Sequence, residues 1–195
     1  MAANLSDDAD RLLCIGQLTS IATQLYLECI TFYRSCLQKL SQNNRLTDPT
    51  FTRLSRNFEA LVLWGNGYGI AYGGLHDALL SSRRARRCYF ESLTSLCSTL
   101  LCRLLFYCST SELRDEAKSL KRTLEAGIVC LEDTCKDGDS TTTDMSSGLA
   151  SDDSIDEVIK DLEVDVDGLI AMDSLITCPA GRTREQPRIR LDERL

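Results

Sequence analysis

Leu18, Ala22, Leu25, Cys29, Phe32 and Cys36 follow one another at intervals of four and three residues. That rhythm returns each side chain to one face of an α-helix and scatters them over both faces of a strand. It predicts a long helix from about Asp10 to Leu40, which would be about 45 Å long. Four more segments carry the same rhythm. Asp48 and Pro49 suit a helix start, and Phe51, Leu54, Phe58, Leu61 and Gly65 mark one face of a second helix. A third runs from about Leu75 to Tyr107, with Tyr89, Leu93, Leu96, Leu100, Leu104 and Tyr107 as its stripe and Ser81-Ser82 as a possible break. Ser109 with Glu112 forms a capping-box pattern ahead of Leu113, Ala117, Leu120, Leu124, Ile128 and Leu131. A second capping box, Ser154 with Glu157, opens a fifth helix bearing Ile155, Ile159, Leu162, Val166, Leu169 and Ile176.

No stretch alternates with period two between hairpin turns, and no repeat of solenoid length is visible. The expected fold is all-α, an antiparallel helical bundle of about five helices. Residues 1–135 form the bundle. Residues 136–150, which read KDGDSTTTDMSSGLA, form a flexible linker too polar to build a core. Residues 151–178 form an acidic helix that docks its apolar face on the bundle, and 179–195, after Pro179, a disordered tail.

Composition narrows the function classes. A hydrophobic share of 43% in 195 residues supports a full core. A net charge of −7 argues against a dedicated nucleic-acid binder, and eleven of the acidic residues lie between Asp137 and Asp167. The first ten residues, MAANLSDDAD, lack the basic start and apolar run of a signal peptide. The most apolar run, Leu100 to Cys108, is far shorter than the roughly 20 residues of a bilayer span. No membrane association is expected, and the ten cysteines are expected as reduced thiols in the cytosol or nucleus. They lack the close C-x-x-C pairs of zinc sites, and His76 is the sole histidine. Neither metal nor cofactor is expected. Cys29 and Cys36, two turns apart on one face, read as small core hydrophobes ahead of metal or redox groups.

The distinctive local text is LVLWGNGYGIAYGGLHDALL, Leu61 to Leu80. It lacks the Gly-Lys-Ser/Thr ending of a phosphate loop, and Tyr72 stands where a dinucleotide fingerprint needs its third glycine. Gly65, Gly69 and Gly73 recur every four residues. On a helix they would share one flat face that admits a second backbone, at a cost of about 1 kcal/mol each in helix propensity. The spacing implies tight helix crossing or a break with turns, and crossing is the favoured reading. Trp64, the only tryptophan, adjoins that face, as a core anchor or an exposed hot spot. His76 and Asp77 point in different directions on a helix and have no evident nucleophile. Arg83, Arg84, Arg86 and Arg87 form a basic cluster. It reads as a solvated helix start, a clamp for the acidic segment around Asp152, Asp153, Asp156 and Glu157, or an import signal or ligand contact.

Phe58-x-x-Leu61-x-Leu63-Trp64-Gly65-Asn66, then Gly69, then Leu75-x-Asp77-x-x-Leu80, resembles the helical N-terminal module of many filamentous-fungal regulatory proteins. The late residues Ile159, Leu162, Val166, Asp167, Leu169, Ser174, Ile176 and Pro179 resemble that module's last helix. The resemblance covers roughly Asp10 to Pro179 and rests mostly on packing residues. It implies an all-α module that commonly precedes ankyrin repeats, NACHT-type NTPase domains or zinc fingers, and it brings no catalytic residues. The glycine density exceeds the module's pattern, and only an arginine-rich tail follows, so a stand-alone relative or a shortened gene product is expected.

The expected function is a non-catalytic protein-protein interaction or scaffold module of a fungal-type regulatory protein, acting on a protein partner or as a homo-oligomer. Phe58, Leu61, Trp64, Gly65, Gly69 and Gly73 are its expected interaction or packing residues. The alternative is a nuclear regulator that uses the basic cluster and the acidic segment. No small-molecule substrate is expected.

Overall fold

The structure, a computed structural model, describes residues 4–43, 46–70, 83–108, 113–134 and 154–171, with side chains for 16–42, 46–70, 85–108, 113–129 and 154–171. Helix α1 spans Asn4–Asn43 and α2 spans Asp48–Tyr68. A third rod, α3, begins as Arg83–Thr99, passes through a π-helical turn at Leu100–Leu104 and finishes as Leu105–Cys108. Helices α4, Leu113–Thr134, and α5, Ile155–Ala171, complete an all-α bundle. At forty residues α1 is about 60 Å long, longer at both ends than its apolar stripe requires.

The helices form a ring in the order α4, α1, α2, α5, α3 and back to α4, with α1 and α3 also touching across its centre. The hydroxyls of Tyr26 and Tyr33 reach Leu61 and Leu54, so α1 and α2 run antiparallel. Arg53 pairs with Asp156 and Glu163 while Asn57 and Ala60 lie beside Val166 and Asp167, so α2 and α5 run parallel. Helix α5 therefore enters the ring between α2 and α3. Val158, Ile159, Leu162, Val166 and Leu169 fill the gap there.

The predicted stripes of α1, α3 and α4 face this core. Leu18, Ala22, Leu25, Cys29, Phe32 and Cys36 are all buried, as are Leu113, Ala117, Leu120 and Leu124. One stripe differs from expectation. Tyr107 is half-buried, whereas Cys108 is fully buried. In a regular helix eighteen residues make about five turns, which would put Tyr107 in line with Tyr89. The π turn takes up one extra residue, so Cys108 inherits that line.

The helix starts are partly as the sequence suggests. Ser154 Oγ accepts from the Glu157 N–H at 3.4 Å, half of the expected capping box. At α2 the cap is Thr47, in an extended conformation, and not Asp48. Asp48 sits inside the first turn, where its charge still complements the helix dipole. Ser81-Ser82, the Ser109/Glu112 box, Ile176, the linker 136–150 and the tail 179–195 lie outside the described residues.

Candidate functional site

The Phe58–Gly69 segment lies at the crossing of α1 and α2. Leu61 is buried, and its carbonyl accepts from Tyr26 Oη at 3.0 Å. Gly65 backs directly onto the Tyr26 ring, where a Cβ would overlap the hydroxyl. Trp64, 7% exposed, packs among Tyr26, Tyr68 and Tyr89, with ring centroids 5.9, 5.2 and 6.0 Å away. Its indole N–H is buried and has no hydrogen-bond acceptor among the described residues. Phe58 meets Tyr33 edge-on at 5.4 Å and lies under the Arg34 guanidinium at 5.8 Å. Burial lifts the Tyr26 hydroxyl to about 12 and raises those of Tyr33 and Tyr89 as well, with nearby cysteines adding to each shift, so all three stay protonated donors.

Gly69 does a different job from Gly65. It adopts the left-handed conformation, φ +62°, and its N–H bonds back to Asn66 and Gly65, which ends α2. Nothing lies near its missing Cβ, so it is a cap and not a crossing point. The four-residue spacing could not separate these roles, because a C-cap glycine can fall on the same line as a packing glycine. Gly73, His76 and Asp77 lie outside the described residues.

The basic cluster opens α3. Arg87 pairs with Glu91 at 2.7 Å, Arg86 is half-buried, and the side chains of Arg83 and Arg84 are not among those described. Acidic residues of α5, the segment weighed as one possible clamp for this cluster, engage cations of α2 and of the π turn. Asp156 and Glu163 engage Arg53 of α2, and Asp161 engages Arg103 in the π turn. Asp165 faces Ser95 and Thr99 of α3, and burial pushes its carboxyl up to about 6, with Asp161 adding to the rise and the two hydroxyls opposing it.

An open groove lies elsewhere. A groove of about 700 Å³ runs along α1 beside α4, floored by Gly16, Ser20, Thr23, Leu27 and Thr31. These residues fall about half a turn from the buried stripe, on the face of α1 directed away from the core. Leu27 is 43% exposed there. Glu28 and Glu116 stand on the groove walls, each with one carboxylate oxygen buried and, among the described residues, without a hydrogen-bond partner. The other oxygen of Glu28 accepts from Gln24 at 2.9 Å.

Sequence reasoning missed this groove although it leaves a trace. Between Leu12 and Phe32 the only charged residue is Glu28, in a chain that is 26% charged. A helix with one buried stripe normally carries charge on its opposite face. Here that face is small and uncharged, which is the composition of a second covered surface.

Among the described residues no cluster of three or more His, Cys, Asp or Glu side chains is placed to hold a metal ion. Among them, too, no helix is long and apolar enough to cross a membrane. No protein-family profile, curated protein or solved structure matches the chain.

Proposed function

We propose that the chain is a non-catalytic interaction module whose docking surface is the α1–α4 groove, and that its partner presents a basic amphipathic helix. The observation that carries this reading is the pair of unpartnered carboxylate oxygens on Glu28 and Glu116, set in an otherwise uncharged groove. A buried carboxylate oxygen without a donor is costly, and a lysine or arginine from a partner helix relieves that cost. The small residues Gly16, Ser20 and Thr23 allow a helix to approach α1 closely, and Leu27 gives it an apolar contact. A second copy is a poorer occupant, because each chain carries −7 and would bring acid to acid.

The proposal keeps the regulatory setting that the fungal-module resemblance implies, with work in the cytosol or nucleus. It moves the contact surface away from Trp64, whose burial suits a core anchor.

The test places a photo-crosslinking side chain at Leu27 of the full chain in cells. A partner captured there, and lost in the Glu28→Gln/Glu116→Gln double variant with helix content unchanged, supports the reading. Capture that ignores the double substitution counts against it. Light scattering of the purified chain covers the competing occupant: a dimer broken by the same substitutions assigns the groove to self-association.

A further inference from the structure

The α1–α4 groove and the C-terminal end of α5 lie at the same end of the bundle. Helix α5 runs parallel to α2 and α2 antiparallel to α1, so α5 finishes level with the N-terminal half of α1. That half carries Gly16, Ser20 and Leu27, the floor of the groove. Around the ring, one helix separates α5 from α1 and one separates it from α4. Two helix spacings of about 8–10 Å make that distance about 20 Å. Residues 172–187 extend to about 50 Å, so Arg188 reaches the groove by either route.

The two sides also match in chemistry. Residues 180–191 read AGRTREQPRIRL, with Arg182, Arg184, Arg188 and Arg190 against the single acid Glu185, in a chain of net charge −7. On the groove side, Glu28 and Glu116 each hold a buried carboxylate oxygen that has no hydrogen-bond partner among the described residues. The lysines of α4 near them are engaged elsewhere, Lys118 with Asp115 and Lys121 with Glu125. Ile189 and Leu191 alternate with the arginines and suit Leu27, which is 43% exposed.

We propose that residues 180–191 dock in the α1–α4 groove of their own chain, an autoinhibitory contact in which Arg188 and Arg190 serve Glu28 and Glu116. The inference rests on reading the groove as the docking surface and adds how that surface is regulated. A guanidinium carries the forked N–H donors that a carboxylate accepts. Tethering decides how strong the contact must be. A segment held this close samples the groove at about millimolar effective concentration, so a weak contact keeps it occupied. A free partner at about micromolar concentration must then bind roughly a thousand times more tightly than the segment to displace it.

The test places p-benzoylphenylalanine at Leu27 of the purified full chain, irradiates it with no partner present, and maps the crosslinked peptides by mass spectrometry. The expected product joins position 27 to residues 180–191 within one chain, in a yield independent of protein concentration. Arg188→Glu/Arg190→Glu should abolish it, and so should Glu28→Gln/Glu116→Gln, with the helical signal unchanged in both. In cells, the arginine variant should raise partner capture at position 27. The proposal is overturned if the intrachain product is absent, joins only separate copies, or survives either double substitution. A cellular partner captured equally by the parent and the arginine variant, with no intrachain product, removes the autoinhibitory contact and leaves the docking surface standing. An intrachain product with no partner captured from cells in either form supports the contact and sinks the partner reading instead.

Discussion

The α-carbon of Gly65 lies against the ring of Tyr26, with no room between them for even a methyl group. The contact belongs to a small unit. Tyr26 donates to the Leu61 carbonyl one turn earlier on α2, so the phenol spans the helix crossing and is hydrogen-bonded at its far side. Packing and polar satisfaction depend on one glycine.

Gly65→Ala should therefore destabilise the bundle by about 1–3 kcal/mol, the usual range for overpacking a tight core. Gly127→Ala is the matched control. Its Cβ would sit 3.5 Å from Ile21, an ordinary contact, on a buried helix face. It should stabilise by up to about 1 kcal/mol through helix propensity. Urea unfolding followed by the helical signal measures both. Equal effects of the two substitutions would mean that the crossing is looser than described.

Asn57 joins three helices. It accepts from Tyr33 Oη of α1 at 3.1 Å and donates to the Leu162 carbonyl of α5 at 3.1 Å. Asn57→Ala should cost about 1–3 kcal/mol, the penalty for disrupting a buried polar network. The loss should be felt first in α5, whose backbone Asn57 ties to α2 at Leu162. Hydrogen exchange should show faster exchange across 155–171 than across α1. A uniform change over all five helices would deny α5 its dependence on Asn57.

The helix-level plan was legible because it rests on spacing. The stripe from Leu18 to Cys36 and the Ser154 cap need only local rules, and both appear in the bundle. What spacing could not convey was which helices become neighbours. Nothing in the sequence says that α5 slots between α2 and α3, or that Asp156 finds Arg53 when four arginines stand in the first turns of α3. The shift from Tyr107 to Cys108 was equally hidden, since a π turn has no residue signature comparable to a capping box. The groove had a visible trace, the uncharged run around Glu28, but a low charge count reads as burial until the second face of α1 is seen to be open.

Asp165 makes the bundle's stability depend on pH in an unusual direction. Its carboxyl titrates near 6 in the folded chain against about 4 when unfolded. Between those values the folded state holds a proton that the unfolded state has released. This contribution is complete below about pH 4 and is lost as pH rises through 6. Asp165→Asn keeps a side chain that can bond Ser95 and Thr99 but never ionises. It should raise stability at pH 7 by about 1–3 kcal/mol and leave it nearly unchanged at pH 4. Chemical denaturation at the two pH values checks this. A variant equally stabilised at both would remove ionisation as the cause.

The π turn supplies the most discriminating test of the α3 geometry. It arises because α3 contains one residue more than a regular helix needs between Tyr89 and Cys108. Removing Cys102, an exposed member of that turn, leaves the two positions eighteen residues apart. Eighteen residues close about five α-helical turns, so Tyr89 and Cys108 still face the same way in a helix without the π turn. Deletion of Cys102 should therefore preserve a cooperative, fully helical protein, with a loss of no more than about 2 kcal/mol. Deletion of Lys121 in α4 offers the contrast. That helix is regular from Leu113 to Thr134, and a missing residue there turns everything beyond it by about 100°, taking Leu124 off the core face. Circular dichroism with thermal melts should show a folded Cys102 deletion and an unfolded or molten Lys121 deletion. If the Cys102 deletion unfolds as readily, the extra residue is needed for contacts at the turn itself, where Arg103 meets Asp161, and is not a removable insertion.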